Sequence, residues 1–307
     1  MSFNPKVSII IPVYNGSNYM KEAIDSSLAQ TYQNSEVIVV NDGTTDNGRT
    51  DAIAKSYGDQ IRYFLKTNGG VASALNYGIG RMEGEYFSWL SHDDVYYPHK
   101  LENQIRYLED LNKTVILYSD YEYIDSKSKF LETNKIDHVS PDRFIYSILI
   151  GHPIHGCTAL VPRQCFKDVG LFNEQLKTSQ DYDLWFRMAK KYEFVHLQEV
   201  LIKSRIHTEQ GTQAMISRVM AEANELYINC MNDLCQNNTQ IVPGESNPVS
   251  IIKIGIHLRK KGFFRAADHA FALSAPKRKI WNVKHYALLL YDDFLRRKTK
   301  IGLSFSN

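Results

Sequence analysis

Two adjacent carboxylates, Asp93 and Asp94, are the residues of this chain whose type and spacing most clearly predict chemistry. They follow residues 85–90, an apolar and aromatic run that predicts a buried strand. Because neighbouring like charges repel and lose hydration at a strand end, they are costly unless a cation neutralises them. A divalent ion that prefers oxygen ligands is the simplest such cation, and it would in turn hold a phosphate. An Asp-rich turn before a helix is the alternative that these two residues alone leave open.

A second group of residues suits a nucleotide base. Asp42 ends a predicted strand in Asn41-Asp42-Gly43, where its carboxylate can accept the imide N–H of a base. Tyr14 or a backbone group of residues 12–15, after the first predicted strand, would cover the ring. Capping of the helix that follows is the other role that this position allows for Asp42.

The loop Asn68-Gly69-Gly70 lies between a predicted strand and a predicted helix. Glycines there let the backbone approach a phosphate or a ribose, with helix N–H groups directed at the anion. The spacing is neither GxGxxG nor GxxxxGK[ST], so neither a Rossmann dinucleotide site nor a P-loop is supported.

Later in the chain, Gln180-Asp181-Tyr182-Asp183 and His207 add further chemistry. Residues two apart on a helix point in different directions, so one of the two acids can face a crevice while the other pairs locally. A crevice-facing Asp181 can take a proton from an attacking hydroxyl, and acids favoured by the helix dipole are the alternative. His207 suits a metal or a phosphate, or else a structural role.

Zinc chemistry is not predicted. His152, His155 and Cys157 match no standard zinc spacing and lack a fourth ligand, and the four cysteines of the chain form no CxxC pair. We therefore expect the thiols to be packing residues in a reducing cytoplasm.

These segments are separated by alternating strand and helix patterns. Apolar, β-branched runs at residues 7–11 and 36–40 are typical of strands that are buried on both faces of a parallel sheet. Helical patterns follow each of them, and the alternation continues through the first third of the chain. This rhythm predicts an α/β fold with an open, mostly parallel sheet between helices. Because ligands bind at the carboxyl ends of such strands, the loops at residues 12–16, 41–43 and 91–94 should share one crevice.

Composition and charge are those of a globular protein with a basic C-terminal part. Hydrophobic residues make up 43% of the 307 residues, and no apolar run approaches the roughly 20 residues of a membrane span. Residues 251–307 carry 13 Lys or Arg against 3 Asp, although the whole chain has a net charge of only +2. We expect an α/β domain over residues 1–212 and a helical region over residues 213–307. The basic, aromatic segment 277–307 either contacts anionic lipid or packs on its own protein.

In combination these motifs resemble the family 2 inverting glycosyltransferases, which have the GT-A fold, and in particular the bacterial enzymes that build surface polysaccharides. The resemblance covers about residues 6–210, and the motifs come in the family's order. The matching segments are Val7-Ser8-Ile9-Ile10-Ile11-Pro12-Val13-Tyr14-Asn15-Gly16, Val39-Val40-Asn41-Asp42-Gly43-Thr44-Thr45-Asp46, Asn68-Gly69-Gly70-Val71-Ala72-Ser73-Ala74-Leu75-Asn76, Leu90-Ser91-His92-Asp93-Asp94 and Gln180-Asp181-Tyr182-Asp183-Leu184-Trp185-Phe186-Arg187.

The resemblance implies a nucleotide-sugar donor, most often a UDP-sugar, bound in the domain over residues 1–212. Asp42 would hold the base, and Asp93 with Asp94 would form the DxD-type site that binds Mg²⁺ or Mn²⁺ on the diphosphate. Asp181 matches the general base, and His207 matches a late contact with the diphosphate or the metal. The residues of the implied nucleotide pocket besides Asp42 are Pro12, Tyr14, Asn15, Asn68, Gly69, Gly70 and Asp93. The residues implied beside the sugar and the acceptor are His155, Gly156, Gln180 and Trp185.

The implied reaction transfers a hexose or an N-acetylhexosamine to a hydroxyl of a glycan or lipid-linked acceptor, with inversion, in one displacement. The resemblance also implies a cytoplasmic enzyme without a nucleic-acid partner. If the basic segment binds lipid, the enzyme would be peripheral on the inner face of the plasma membrane. Two positions depart from the family's pattern. Ser91 replaces the first acid of the DxD-type motif, which removes one anionic group. Gln180 replaces the Glu that commonly precedes the base.

Two other functions remain open. An inactive module that binds sugar nucleotides without turnover would also tolerate Ser91. A sugar nucleotidyltransferase has a similar sheet, but a glycine-rich loop bearing Arg or Lys usually follows its first strand. Here that loop is Pro12-Val13-Tyr14-Asn15-Gly16, which argues against this second function.

Overall fold

A computed structural model of the protein describes residues 3–111, 113–151, 154–208, 215–274 and 291. The strands in these residues are β1 (Val7–Val13), β2 (Ser35–Asp42), β3 (Arg62–Lys66), β4 (Tyr86–Trp89), β5 (Val95–Tyr96), β6 (Ile116–Ile124), β7 (Phe130–Asn134), β8 (Leu160–Pro162) and β9 (Phe194–Arg205). They form one sheet in the order β3-β2-β1-β4-β8-β6-β9-β5, with β7 paired to β6.

The half of the sheet around β1 is parallel. β1 pairs with β2 and β4, and β2 pairs with β3. Every residue of β1 is buried, as its β-branched run predicts for a strand covered on both faces. In the other half, β8 is antiparallel to β4 and β6, while β9 is parallel to β6. The predicted α/β fold is confirmed, and the antiparallel pairs lie where the alternation of strand and helix patterns ends.

Helices flank this sheet and continue beyond it. In the described residues they are α1 (Met20–Leu28), α2 (Arg49–Ser56), α3 (Val71–Ile79), α4 (Lys100–Leu111), α5 (Phe144–Leu149), α6 (Arg163–Val169), α7 (Gln180–Ala189), α8 (Ile216–Gln236), α9 (Asn247–Lys260) and α10 (Phe264–Ser274). α3 lies close to β1 because Gly78 has no side chain: a Cβ there would be 2.6 Å from Ile10 Cγ2. This close approach places the N-terminus of α3 at the carboxyl edge of the sheet.

The chain divides into two compact units. One comprises Met1–Pro141 and Pro153–Met215 and contains the sheet, and the other comprises Asp142–His152 and Ile216–Asn307. In the second unit, α9 and α10 pack closely, since a Cβ on Gly255 would be 2.9 Å from the Phe271 ring. In the described part of the chain, every helix is too short or too polar to cross a lipid bilayer. His152 and the basic segment 277–307, apart from Tyr291, lie outside the described residues.

Candidate active site

The loops at the carboxyl ends of β1, β2 and β4 contact one another. The Asn15 amide donates to Thr44 Oγ1 at 3.0 Å, and Asn15 Oδ1 accepts from the Thr45 amide at 2.9 Å. Gly16 lies against His92, because a Cβ on Gly16 would be 2.6 Å from a carbon of that ring. The three strand-end loops that were expected to share one crevice therefore lie together. Asn15, expected at the nucleotide, uses its side chain to join two of these loops.

Asp42 anchors the glycine loop of residues 68–70. The residue is only 3% exposed. Its carboxylate accepts from Lys66 Nζ at 2.7 Å, from the Gly69 amide at 3.0 Å and from the Gly70 amide at 2.7 Å. The carboxylate expected to hold a base is thus already satisfied in this conformation. It also does not cap the helix that follows it, since α2 begins only at Arg49.

Two lysines that the motifs did not single out flank the same loop. Lys66 binds Asp42, and Lys177 Nζ donates to the Gly69 carbonyl oxygen at 3.2 Å. Gly70 has a φ of +91°, which a side chain would disfavour. Two ammonium groups, one of them paired with Asp42, thus lie next to the N-terminus of α3, where the helix N–H groups favour a phosphate. The sequence contained a signal for Lys66, which ends β3 directly before the loop, but none for Lys177.

The other residues expected around a base differ in exposure. Tyr14 is 46% exposed, so its ring is free to cover a planar ligand. Pro12 is buried within β1 and pairs with Val40 of β2, so its ring is part of the sheet. Asn68 is exposed beside the glycine loop. Tyr14 and Asn68 are therefore the accessible members of the expected pocket.

Asp93 and His207 form a close pair at the crevice. Asp93 Oδ2 lies 3.0 Å from His207 Nε2, and the ring of His207 packs on that of Tyr19, with 4.9 Å between ring centroids. A carboxylate oxygen and an imidazole nitrogen this close can share one ion. The nitrogen favours Mn²⁺ over Mg²⁺, which prefers a shell of oxygens. These two residues fit the metal that the resemblance implies.

Asp94 is turned to the interior, unlike Asp93. Its Oδ1 accepts from the Arg205 amide at 2.9 Å, and its Oδ2 lies 3.4 Å from Cys157 Sγ and 3.6 Å from His155 Nε2. Burial, together with the charge of Asp93, raises the pKa of Asp94 to about 8. The side chains of the two acids therefore contact different residues in this structure. Of the two acids, Asp93 is the one that forms the crevice pair with His207.

Arg205, which the sequence did not single out, connects the loop of Asp93 to two other segments. Its guanidinium is fully buried, and Nε donates to the Asp93 carbonyl oxygen at 2.8 Å. Its Nη2 atom donates to Glu22 of α1 at 2.9 Å, and its Nη1 atom donates to Ser128 in the β6–β7 turn at 2.9 Å. A planar fork is needed to reach all three partners, which an ammonium group cannot do.

We expect Arg205→Lys to lower the melting temperature by about 5–10 °C, because it leaves buried acceptors unpaired. It should also raise the Mn²⁺ concentration for half-maximal binding, since the loop of Asp93 loses the hydrogen bond that Arg205 Nε donates to its backbone. Thermal unfolding and Mn²⁺ titration measure the two effects. Arg62→Lys is a control, because Arg62 Nη1 donates to Glu36 and to the Arg81 carbonyl oxygen in the same unit, away from the Asp93 loop. A Mn²⁺ midpoint that Arg205→Lys leaves unchanged would contradict the bracing role.

Asp181 stands at the start of α7. It is half-buried, its Oδ1 accepts from the Tyr182 amide at 2.9 Å, and burial raises the pKa of the carboxyl to about 6. Asp183 instead pairs with Arg187, with Oδ2 at 3.0 Å from Nε and 2.7 Å from Nη2. The expectation that one of the two acids pairs locally is confirmed. Gln180, before the base, is buried, and its Oε1 has no partner among the described residues.

Of the other residues expected beside the sugar, His155 makes a polar contact, whereas Gly156 and Trp185 pack against aromatic rings. His155 Nε2 lies 3.0 Å from Ser204 Oγ, and burial lowers the pKa of its ring to about 4, so the imidazole is neutral. Gly156 lies under Trp89, since a Cβ would be 2.4 Å from that ring. Trp185 is fully buried against Phe172 and does not line the crevice. The reason is that the inner face of α7 buries its largest apolar side chain in the core.

The profile of Glycosyl transferase family 2 matches residues 8–170. The chain belongs to this family. An uncharacterised glycosyltransferase of Rickettsia felis is 52% identical over 248 residues, which is 80% of this chain and 41% of that protein. This chain thus spans about two fifths of the length of that relative.

Two solved structures share the fold of this family 2 glycosyltransferase. S. aureus TarS 1–349, in complex with UDP-GlcNAc, matches with a TM-score of 0.59 and 16% identity, over 91% of this chain and 94% of that one. The mannosyltransferase PcManGT from Pyrobaculum calidifontis, in complex with GDP-Man and Mn²⁺, matches with a TM-score of 0.58 and 19% identity, over 96% and 81%. They establish the GT-A fold.

The departure from the family's pattern at Ser91 has a structural counterpart in this glycosyltransferase. The Ser91 amide and hydroxyl lie 3.2 Å and 3.3 Å from Cys157 Sγ, and that thiol in turn contacts Asp94. An aspartate at position 91 would add a third carboxylate next to Asp93 and Asp94, within reach of a buried thiol. Serine therefore fits the surroundings that Cys157 creates.

Proposed function

We propose that this family 2 glycosyltransferase moves a hexose or an N-acetylhexosamine from a UDP-sugar to a hydroxyl of a glycan or lipid-linked acceptor, with inversion. The observation that carries the proposal is the state of Asp181. Burial raises the pKa of its carboxyl to about 6 at the start of α7. Such a carboxyl is mostly ionised near neutral pH and is still basic enough to accept a proton, as a general base must be.

The proposed donor site uses the glycine loop of residues 68–70 at the start of α3. The diphosphate would lie against the start of α3 with Lys66 and Lys177 beside it, and Tyr14 would cover the base. Both solved neighbours were obtained with sugar nucleotides, UDP-GlcNAc in one and GDP-Man in the other. Together with the sequence motifs, these complexes support a nucleotide-sugar donor, and UDP is the nucleotide that the resemblance favours.

In the proposed reaction, Asp181 receives the proton of the acceptor hydroxyl while the hydroxyl oxygen attacks the anomeric carbon. The bond from that carbon to the diphosphate oxygen breaks in the same step, so no covalent intermediate with the enzyme forms. The hydrogen bond from the Tyr182 amide to Asp181 Oδ1 orients the carboxyl for this transfer. A divalent ion held by Asp93 and His207 would supply positive charge that stabilises the departing diphosphate.

The configuration of the product tests this reaction directly. An α-linked UDP-sugar must give a β-linked product, which the anomeric coupling in a proton NMR spectrum of the first product reports. An α-linked product would contradict the single displacement and the role of Asp181.

We expect Asp42→Asn to weaken UDP binding by about tenfold or more, because the amide lacks the charge that pairs with Lys66 and must set its N–H₂ against either the Lys66 ammonium or the Gly70 amide. Calorimetric titration with UDP measures this. Asp51→Asn serves as the control, since Asp51 also binds a lysine and a tyrosine hydroxyl but lies on the exposed side of α2. Equal UDP affinity of wild type and Asp42→Asn would contradict the anchoring role.

We also propose, from the sequence alone, that the basic segment 277–307 brings the enzyme to an anionic leaflet where lipid-linked glycans are assembled. In a flotation assay, the full chain should rise with vesicles that contain anionic lipid, and should stay behind with zwitterionic vesicles or at high salt. A chain that floats with neither kind of vesicle would contradict the membrane proposal without touching the transferase proposal.

An inactive sugar-nucleotide module is the competing function, and Ser91 is the residue that favours it. Such a module would bind UDP with or without Mn²⁺ and release none from any donor. Metal-dependent turnover of a donor decides between the two.

A further inference from the structure

Three side chains with different donor atoms meet near the crevice loops, and one of them, Asp94, is far in sequence from the other two. Asp94, His155 and Cys157 each offer a ligand atom, and these atoms all lie within 4.8 Å of one another. Asp94 and Cys157 are buried, whereas the side chain of His155 is 24% exposed and so leaves a route from solvent. Among the described residues, this is the group of three His, Cys or acidic side chains whose ligand atoms lie close enough together to hold an ion.

Two of the three separations between the ligand atoms fit a tetrahedral ion. Zn²⁺ binds sulfur at about 2.3 Å and nitrogen or oxygen at about 2.0–2.1 Å, so the edges of such a site are about 3.3–3.6 Å long. Cys157 Sγ lies 3.4 Å from Asp94 Oδ2, and His155 Nε2 lies 3.6 Å from the same oxygen. The third separation, between Cys157 Sγ and a ring nitrogen of His155, is no more than 4.8 Å.

The surroundings leave the right atoms available. Asp94 Oδ1 is held by the Arg205 amide, which leaves Oδ2 for an ion. Ser204 Oγ, 3.0 Å from His155 Nε2, or a water can complete the coordination, as in zinc sites with three protein ligands. The neutral imidazole would move its proton from Nε2 to Nδ1 and give up the 3.3 Å contact between Nδ1 and the Cys157 amide. The thiol proton would leave to solvent.

We propose that Asp94, His155 and Cys157 form a binding site for a thiophilic divalent ion of the Zn²⁺ class, separate from the Asp93–His207 pair. The oxygen, nitrogen and sulfur donor set selects against Mg²⁺, which needs oxygens, and favours Zn²⁺ or Co²⁺. The crevice pair has no sulfur and none of the same side chains, so the two sites differ in chemistry as well as in their residues. This inference goes beyond the proposed function and does not depend on the donor.

Co²⁺ is the probe, because a thiolate ligand gives it an intense charge-transfer absorption in the near ultraviolet. We expect the full chain, freed of metal by chelator dialysis, to show this band on titration with Co²⁺, and Zn²⁺ to displace it. Cys157→Ser should lose the band. Cys165→Ser, which changes a buried thiol elsewhere in the sheet unit, should keep it, and so should Asp93→Asn, which changes none of the three proposed ligands. Zn²⁺ should also raise the melting temperature of the wild type but not of Cys157→Ser.

A second variant tests the same site if Cys157→Ser does not fold. His155→Gln retains the thiol and should weaken Co²⁺ binding by about tenfold or more, as loss of a direct ligand costs at least as much as loss of its supporting contacts. No thiolate band in the folded wild type would overturn the proposal. So would a band that persists in folded Cys157→Ser, or a Co²⁺ affinity that His155→Gln leaves unchanged.

Discussion

Asp181→Asn is expected to lower kcat/KM for sugar transfer by about 10²- to 10⁴-fold, the usual contribution of a positioned base. The amide has nearly the same shape as the carboxylate but cannot receive a proton from the acceptor. UDP affinity should change little, because the proposed nucleotide contacts come from the loops of Tyr14, Asp42 and Asp93. Transfer kinetics and calorimetric titration with UDP, measured on the same preparation, separate the two effects.

Asp183→Asn is the matched control for this variant. It lies on the same helix two residues later, and its carboxylate is bound to Arg187. Its replacement should lower thermal stability slightly and leave kcat/KM within a fewfold of the wild type. A similar loss of activity in both variants would mean that α7 is merely sensitive to substitution, and the base would have to be sought elsewhere.

The pH dependence follows from the same residue. Burial raises the pKa of Asp181 above its usual value to about 6, so the carboxyl is protonated and inactive as a base at pH 5. Log kcat/KM should therefore rise with unit slope below about pH 6 and become flat above it. A rate that is flat from pH 5 to 8, with chemistry shown to be rate-limiting, would contradict the assignment.

Asp93→Asn is expected to produce the second large effect. The Mn²⁺ concentration for half-maximal activity should rise by about tenfold or more, and the maximal rate should fall, because the carboxylate is the charged member of the crevice pair. His207→Asn should shift the same midpoint in the same direction. The Mn²⁺ dependence of the rate, and electron paramagnetic resonance of free Mn²⁺ without substrate, measure these changes.

A second acid–histidine pair in the same unit supplies the control. His196 Nε2 lies 2.8 Å from Asp120 Oδ1, and both side chains are buried in the sheet. His196→Asn should affect stability but not the Mn²⁺ midpoint. If His196→Asn and His207→Asn shifted the midpoint equally, the assignment of the ion to the crevice would fail.

The parallel half of the fold was readable from the sequence because its determinants are local. The apolar runs of β1 and β2 mark strands covered on both faces, and the polar residues after them mark the edge where ligands bind. β5, with two residues, and β8, with three, are too short to carry a pattern. Their positions depend on pairing with distant strands, which periodicity does not encode.

The sequence identified several residues of the candidate site, but not the direction in which each side chain points. Asp93 and Asp94 are neighbours in sequence, yet one faces the crevice and the other faces Cys157, because Arg205 binds the backbone of the first and the side chain of the second. Arg205 is 112 residues away from Asp93, so no local motif could reveal this contact. Trp185 was expected beside the sugar because its neighbours in the motif are catalytic candidates. Its ring is buried instead, because the packing of α7 determines where this side chain lies.

Release of nucleoside diphosphate from a panel of UDP-sugars and GDP-mannose, with Mn²⁺ and with EDTA, tests the central claim most directly. We expect one UDP-sugar to be turned over in the presence of Mn²⁺, EDTA to stop the reaction, and Asp93→Asn to need more Mn²⁺. UDP binding measured alongside distinguishes an enzyme that lacks its acceptor from a protein that lacks the site. A folded wild-type chain that neither releases UDP from any donor nor binds UDP would contradict the account.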